Sequence, residues 1–238
     1  HGETRGQGPA LLLIHGWAMH SGLFAPLAAR LEDRYTLHLV DLPGHGHART
    51  STAALDPAAL AGELVARFPG AAWLGWSLGG LLALHAALGH PERVRGVVMV
   101  ASSPREFGEA LGRDFRGTLE GFLALEALGS EDAQRELRQL RAQAFERGEP
   151  DPRILQEGLR LLDSVDLRDD LADLRVPSLW LSGRRDRLVP QGAMPAAAAL
   201  APGARAVQID QAGHAPFLGA PDQVADAVDG CLRTLPSP

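Results

Sequence analysis

The sequence contains no lysine: all 23 of its basic side chains are arginine. Schiff-base chemistry, a lysine general base and a Walker-type phosphate loop each need the ε-amine, so all three are excluded. Cysteine is nearly absent too. The single Cys231 rules out an internal disulfide, and its place in a C-terminal helical pattern points to packing rather than thiol chemistry. There is no apolar run of about eighteen residues, so no membrane span is expected. A net charge of -6, with no basic arm and no zinc-ligand cluster, speaks against a nucleic-acid partner. Residues 1–5 lack the basic, hydrophobic and cleavage regions of a secretory leader, and a cytoplasmic enzyme is the expectation. The chain opens without Met, which leaves a removed leader open.

What is present suits one α/β domain. At 238 residues and 45% hydrophobic content, the chain can bury a substantial core. Leu11-Leu12-Leu13-Ile14 reads as a buried strand, residues 24–31 as a helix, and residues 35–40 as a second strand ending at Asp41-Leu42-Pro43-Gly44. Asp56-Pro57 is an N-cap followed by proline at the first helical position, opening a helix to about residue 68. Residues 71–75 form a strand, 79–88 a helix and 94–100 a β-branched strand. Strands alternating with helices imply a mostly parallel sheet covered on both faces. From 104 to 165 the alternation stops and the pattern is helical, with Ser130 able to cap a helix reaching residue 147 and Asp151-Pro152 opening another. This reads as a helical lid inserted between two parts of the core, 1–103 and 166–238. Strands at 178–182 and 206–209, then a helix over 222–235, complete the chain.

Gly75-Trp76-Ser77-Leu78-Gly79 lies where one of these strands meets a helix. A Gly-x-Ser-x-Gly string is cheap in a glycine-rich chain, and an ordinary turn serine is the bland alternative. Strand, sharp turn and helix together change its meaning, because they expose the Ser77 hydroxyl and aim a helix N-terminus and the Leu78 N–H at a developing oxyanion. A serine nucleophile needs a histidine base, which needs a carboxylate to fix its tautomer. Asp186, in the loop after the 178–182 strand, and His214, in the loop after the 206–209 strand, supply both at strand C-terminal ends. Alone, either would read as a surface residue. Competing acids Asp166, Asp169 and Asp173 precede the relevant strand. His15-Gly16-Trp17 follows the first buried strand and offers the Trp17 N–H as a second oxyanion donor, with His15 in a structural hydrogen-bonding role. His45 and His47 flank Gly46, but no third ligand at workable spacing accompanies them, so no metal is expected.

The order Ser77, Asp186, His214 and the strand placement of each resemble the α/β-hydrolase superfamily across essentially the whole chain. A narrower likeness rests on His15-Gly16-Trp17, Trp73-Leu74-Gly75-Trp76-Ser77-Leu78-Gly79-Gly80, His90-Pro91-Glu92-Arg93-Val94, Ala101-Ser102-Ser103-Pro104 and Phe122-Leu123-Ala124-Leu125. These strings resemble the pimeloyl-[acyl-carrier protein] methyl ester esterases of biotin biosynthesis. The resemblance implies an α/β-hydrolase fold, hydrolysis of a methyl ester at the far end of a carrier-bound acyl chain, and no cofactor. It also implies substrate contacts at Trp17, Ser77 and Leu78, at Phe122, Leu123, Ala124, Leu125 and Glu126 in the lid, and at His214. At 100° per residue Glu126 is expected to face solvent.

Carrier docking needs a local positive face on an acidic chain. Arg135, Arg138 and Arg141 fall within about 120° of one helix face, and Arg113 and Arg116 stand ahead of the Phe-Leu-Ala-Leu string, near Gly117 and Gly121. Either they meet the carrier, or they are a solvated flank balanced by Glu131, Asp132 and Glu136. Where the family has lid arginines just ahead of the Phe-Leu-Ala-Leu string, this chain has Gly117 and Gly121. The expectation is therefore a monomeric serine carboxylesterase. The rivals are a broad short-chain esterase or lactonase, and a non-catalytic binding protein on the same fold.

Overall fold

A computed structural model describes residues 2–104, 123–124 and 133–235. Its centre is a seven-stranded sheet: β1 (Gly2–Arg5), β2 (Ala10–Ile14), β3 (Thr36–Val40), β4 (Ala72–Trp76), β5 (Val97–Val100), β6 (Ser178–Gly183) and β7 (Arg205–Ile209), in the spatial order β1-β3-β2-β4-β5-β6-β7. Only β1 runs antiparallel to its neighbour, pairing Gly2 with Val40 and Arg5 with Leu37. Strands β4, β5 and β6 are buried along their whole length, which is why they read as continuous apolar runs without alternation.

The helices follow from the same local signals. Helix α1 (Ala25–Leu31) succeeds a short 3-10 turn, and α2 (Pro57–Arg67) starts where Asp56 accepts from the Ala58 and Ala59 N–H groups. Helix α3 (Leu78–Gly89) is apolar around nearly its whole circumference because it is sandwiched between the sheet and α2. Each fully buried leucine in that layer contributes about 1.5–3 kcal/mol. Between β5 and β6 the described residues form α4 (Ala133–Glu146) and α5 (Pro152–Ser164), the latter capped by Asp151 and burying Ile154, Leu155, Leu161 and Leu162 along one stripe. Helices α6 (Ala193–Leu200), α7 (Pro216–Gly219) and α8 (Pro221–Leu232) close the chain, with α8 packed on α1. Cys231 is buried in α8.

The strand order positions the site. From β2 the chain crosses outward to β3, then returns to β4 on the other side of β2. Because crossovers of this kind are right-handed, the two directions of travel send their helices to opposite faces, leaving a crevice at the C-terminal ends of β2 and β4. Trp17 follows β2 and Ser77 follows β4. No helix among the described residues is long and apolar enough to cross a membrane.

Candidate active site

Ser77 sits at the junction of β4 and α3 with φ 52° and ψ -123°, a conformation that costs a non-glycine residue about 1–3 kcal/mol. The crowding explains the glycines beside it. A methyl group on Gly79 would strike the Ile14 carbonyl, and one on Gly80 would strike the Ser102 hydroxyl. Helix α3 thus starts hard against the ends of β2 and β5, and the Ser77 N–H donates to the Val100 carbonyl (3.0 Å). Gly16 brings the β2 turn close as well: a Cβ there would lie 3.1 Å from Ser77 Cβ. The turn bearing the Trp17 N–H therefore rests against the side chains of Trp76 and Ser77.

Two later loops meet beside this turn. His214 donates from Nδ1 to Asp186 Oδ2 (2.9 Å), and both side chains are buried. Asp186 Oδ1 in turn accepts from the Leu188 (2.8 Å) and Val189 (3.0 Å) N–H groups, which fixes the carboxylate's rotation. The Nδ1–H bond selects the tautomer in which Nε2 is the basic nitrogen. Trp76, next to Ser77, donates from its indole to the His214 carbonyl (2.9 Å) and meets Phe217 edge-on. The elbow and the histidine loop are thereby held to one another by a residue adjacent to the serine.

His15 is a scaffold residue. Its Nδ1–H donates to the Gly16 carbonyl (2.7 Å), while Nε2 accepts from the Leu42 N–H (3.0 Å). Burial, reinforced by the neighbouring His45, pulls its pKa down to about 3, and burial pulls His45 down to about 4. Both are neutral in the folded protein near neutral pH, whereas in the unfolded chain they protonate around 6.5. The unfolded state therefore binds more protons between these values, so stability is fully present above about pH 6.5 and is lost as pH falls toward 3–4. Urea midpoints measured from pH 7 to pH 4 should fall steadily. His45→Asn, which keeps a donor for the Pro43 carbonyl now served by His45 Nδ1, should flatten that slope.

The other sequence-derived residues divide. Leu78 is buried at the first turn of α3, and Leu123 is buried while Ala124 is exposed. Phe122, Leu125, Glu126 and Arg116 lie outside the described residues. Arg135, Arg138 and Arg141 are exposed on α4. Glu136, read from the sequence as one of their solvated counter-charges, is instead 2% exposed. It lies on the inward stripe of α4 with Leu140 and Ala144, one turn apart each, and its carboxylate packs against Gly219 of α7. Among the described residues no group of three or more His, Cys, Asp or Glu side chains could hold a metal ion.

The sequence pattern of the alpha/beta hydrolase family matches residues 11–227. The chain belongs to that family. This α/β hydrolase is 54% identical to a pimeloyl-[acyl-carrier protein] methyl ester esterase of Stenotrophomonas maltophilia, over 99% of the chain and 97% of that protein. It is 51% identical to the esterase of the same name from Xanthomonas oryzae pv. oryzae, over 99% of the chain and all of that protein. Among solved structures, the enol-lactonase of Burkholderia xenovorans superposes with a TM-score of 0.85 at 20% identity, covering 98% of the hydrolase and 96% of the lactonase. That likeness speaks for the fold.

Sequence reasoning did not single out two contacts at the site. The Trp17 indole donates to the Leu155 carbonyl (2.8 Å) of α5, and Arg147, just past α4, pairs with Asp41 after β3. Neither pair has a local signature, because the partners are 138 and 106 residues apart in the chain.

Proposed function

We propose that this α/β hydrolase is a serine carboxylesterase that cleaves the methyl ester of pimeloyl-[acyl-carrier protein], yielding the free ω-carboxylate and methanol for biotin biosynthesis. The observation that carries the reading is the 54% identity to an esterase of that name along almost the full length of both chains. In this reading Ser77 attacks the ester carbonyl while His214 Nε2 takes its proton. His214 then protonates the departing methoxide and activates water for deacylation, and Asp186 stabilises the imidazolium. The Trp17 and Leu78 N–H groups hold the oxyanion. No step needs a cofactor, since protons and the acyl group pass only among these side chains and water.

Residues 104–165 act as the lid over the acyl path, to which the buried Leu123 contributes. The exposed Arg135, Arg138 and Arg141, with Arg116, meet the acidic carrier from the cytoplasmic solution. The enzyme works as a monomer. The test compares carrier-bound pimeloyl methyl ester with free short-chain esters, together with rescue of a biotin-requiring strain that lacks this step. A kcat/KM at least about tenfold higher on the carrier-bound ester, with growth restored, is the expected result. Rapid cleavage of simple aryl esters without rescue would leave a broad esterase instead.

A further inference from the structure

The turn after β2 is strained just past Trp17. Ala18, directly after Trp17, has φ +62°, inside a turn closed by the Met19 N–H on the Gly16 carbonyl (3.4 Å). Glycine is the usual occupant of such a position, and an alanine stays there only if its surroundings hold it. The residues that follow show what holds it. His20 uses both ring nitrogens: Nδ1 accepts from the Gly22 N–H (3.1 Å), and Nε2–H donates to the Gln143 carbonyl (2.6 Å) in the last turns of α4. The Ser21 N–H donates to Asp41 Oδ1 (2.8 Å), and the same carboxylate accepts from the His47 N–H (2.8 Å) through Oδ2.

Arg147 completes this arrangement. Its Nη1 lies 3.0 Å from Asp41 Oδ2, 3.3 Å from Oδ1 and 3.0 Å from the Ser21 hydroxyl, and its carbonyl accepts from Arg49. Asp41 is 3% exposed, so the pair is made in a largely desolvated place where loss of one partner strands the other. Gly46 leaves the room for it, since a Cβ there would collide with the Asp41 carboxylate. Helix α5 is tied to the same region, through the Asp151 N–H on the Gly44 carbonyl (2.9 Å) and the Trp17 indole on Leu155.

We propose that Arg147 is a positioning residue: by clamping the end of α4 onto Asp41 and Ser21 it holds the strained Trp17-Ala18 turn, so that seating of the inserted helices and aim of the Trp17 N–H are one event. The proposal rests on the serine-esterase reading, because it acts through the oxyanion donor assigned there. It makes a distinctive demand. A defect in an ordinary lid contact weakens binding of long acyl chains, whereas this clamp governs the rate on an ester too short to touch the lid.

The experiment uses p-nitrophenyl acetate and the full chain carrying Arg147→Gln, Arg147→Lys or Ser77→Ala. For Arg147→Gln, kcat should fall about tenfold or more with KM changed less than about threefold, a loss in the range expected when a catalytic donor is displaced by a fraction of an ångström. Arg147→Lys, which keeps the charge, should recover to within about fivefold of the parent. An unchanged kcat for Arg147→Gln beside an inactive Ser77→Ala would overturn the clamp and leave the esterase standing. Hydrolysis surviving in Ser77→Ala would overturn the esterase reading itself. If Arg147→Gln does not fold, Ser21→Ala removes one of the guanidinium's acceptors and should lower kcat about two- to fivefold. An equal loss of thermal stability in the Lys and Gln variants, with kcat intact in both, would reduce Arg147 to a structural tie.

Discussion

Ser77→Ala should lower kcat for ester hydrolysis by roughly 10⁵-fold while leaving the fold and KM nearly unchanged. The reason is that a hydroxyl is the only group the substitution removes. The turn that holds it is set by neighbours: Gly79 against Ile14, Gly80 against Ser102, and the Ser77 N–H on Val100 all survive. Residual rate would come from the Trp17 and Leu78 donors, which can still polarise a bound carbonyl for attack by water. A companion substitution separates chemistry from strain. At φ 52° and ψ -123° a glycine is comfortable, so Ser77→Gly should be equally inactive yet more stable than the parent by about 1 kcal/mol. Denaturant melts of the two variants, with a fluorophosphonate probe that labels only the parent serine, check both halves. Retained hydrolysis in Ser77→Ala would mean that the strained turn serves something other than acyl transfer.

The parts of this architecture that were readable from sequence are those in which one short segment both sets the conformation and names it. Asp56-Pro57 caps and opens α2 within two residues, and the glycines around Ser77 are required by contacts that any strand-turn-helix of this sharpness would make. The order of Asp186 and His214 after Ser77 was readable because Asp186 follows the buried apolar run of β6 and His214 follows the shorter, mostly exposed β7. Other parts were hidden for a physical reason. Strand β1 is Gly-Glu-Thr-Arg, mostly exposed, and is held at the sheet edge by backbone pairing with β3 rather than by an apolar face. Glu136 looks like a surface charge because its sequence neighbours Arg135 and Arg138 are; only helical phase relative to Leu140 and Ala144 places it inside. The Arg147–Asp41 pair depends on the path of the whole intervening chain, so no window of either loop contains it.

The second large effect is expected for Asp186→Asn, where kcat should fall about 10³- to 10⁴-fold with little change in stability. The carboxylate has two separate duties. Oδ1 accepts from the Leu188 and Val189 N–H groups, and an asparagine oxygen can continue to do so. Oδ2 accepts from His214 Nδ1–H, and there the asparagine presents an NH₂. Two donors cannot face one another, so His214 must shift its proton to Nε2 and become unable to take the serine proton. Asp186→Ala should lose activity to a similar degree but also stability, by about 1–3 kcal/mol, because the partly buried Leu188 N–H and the buried Val189 N–H lose their acceptor. The contrast between the variants isolates tautomer control from loop packing. It is read by kcat on an aryl ester and by thermal melts of both proteins. Near-parental kcat in Asp186→Asn would mean that another carboxylate orients His214. Asp166, Asp169, Asp173 and Asp210 are poor substitutes, since each is exposed or only half-buried, whereas the contact that His214 makes with Asp186 is closed to solvent on both sides.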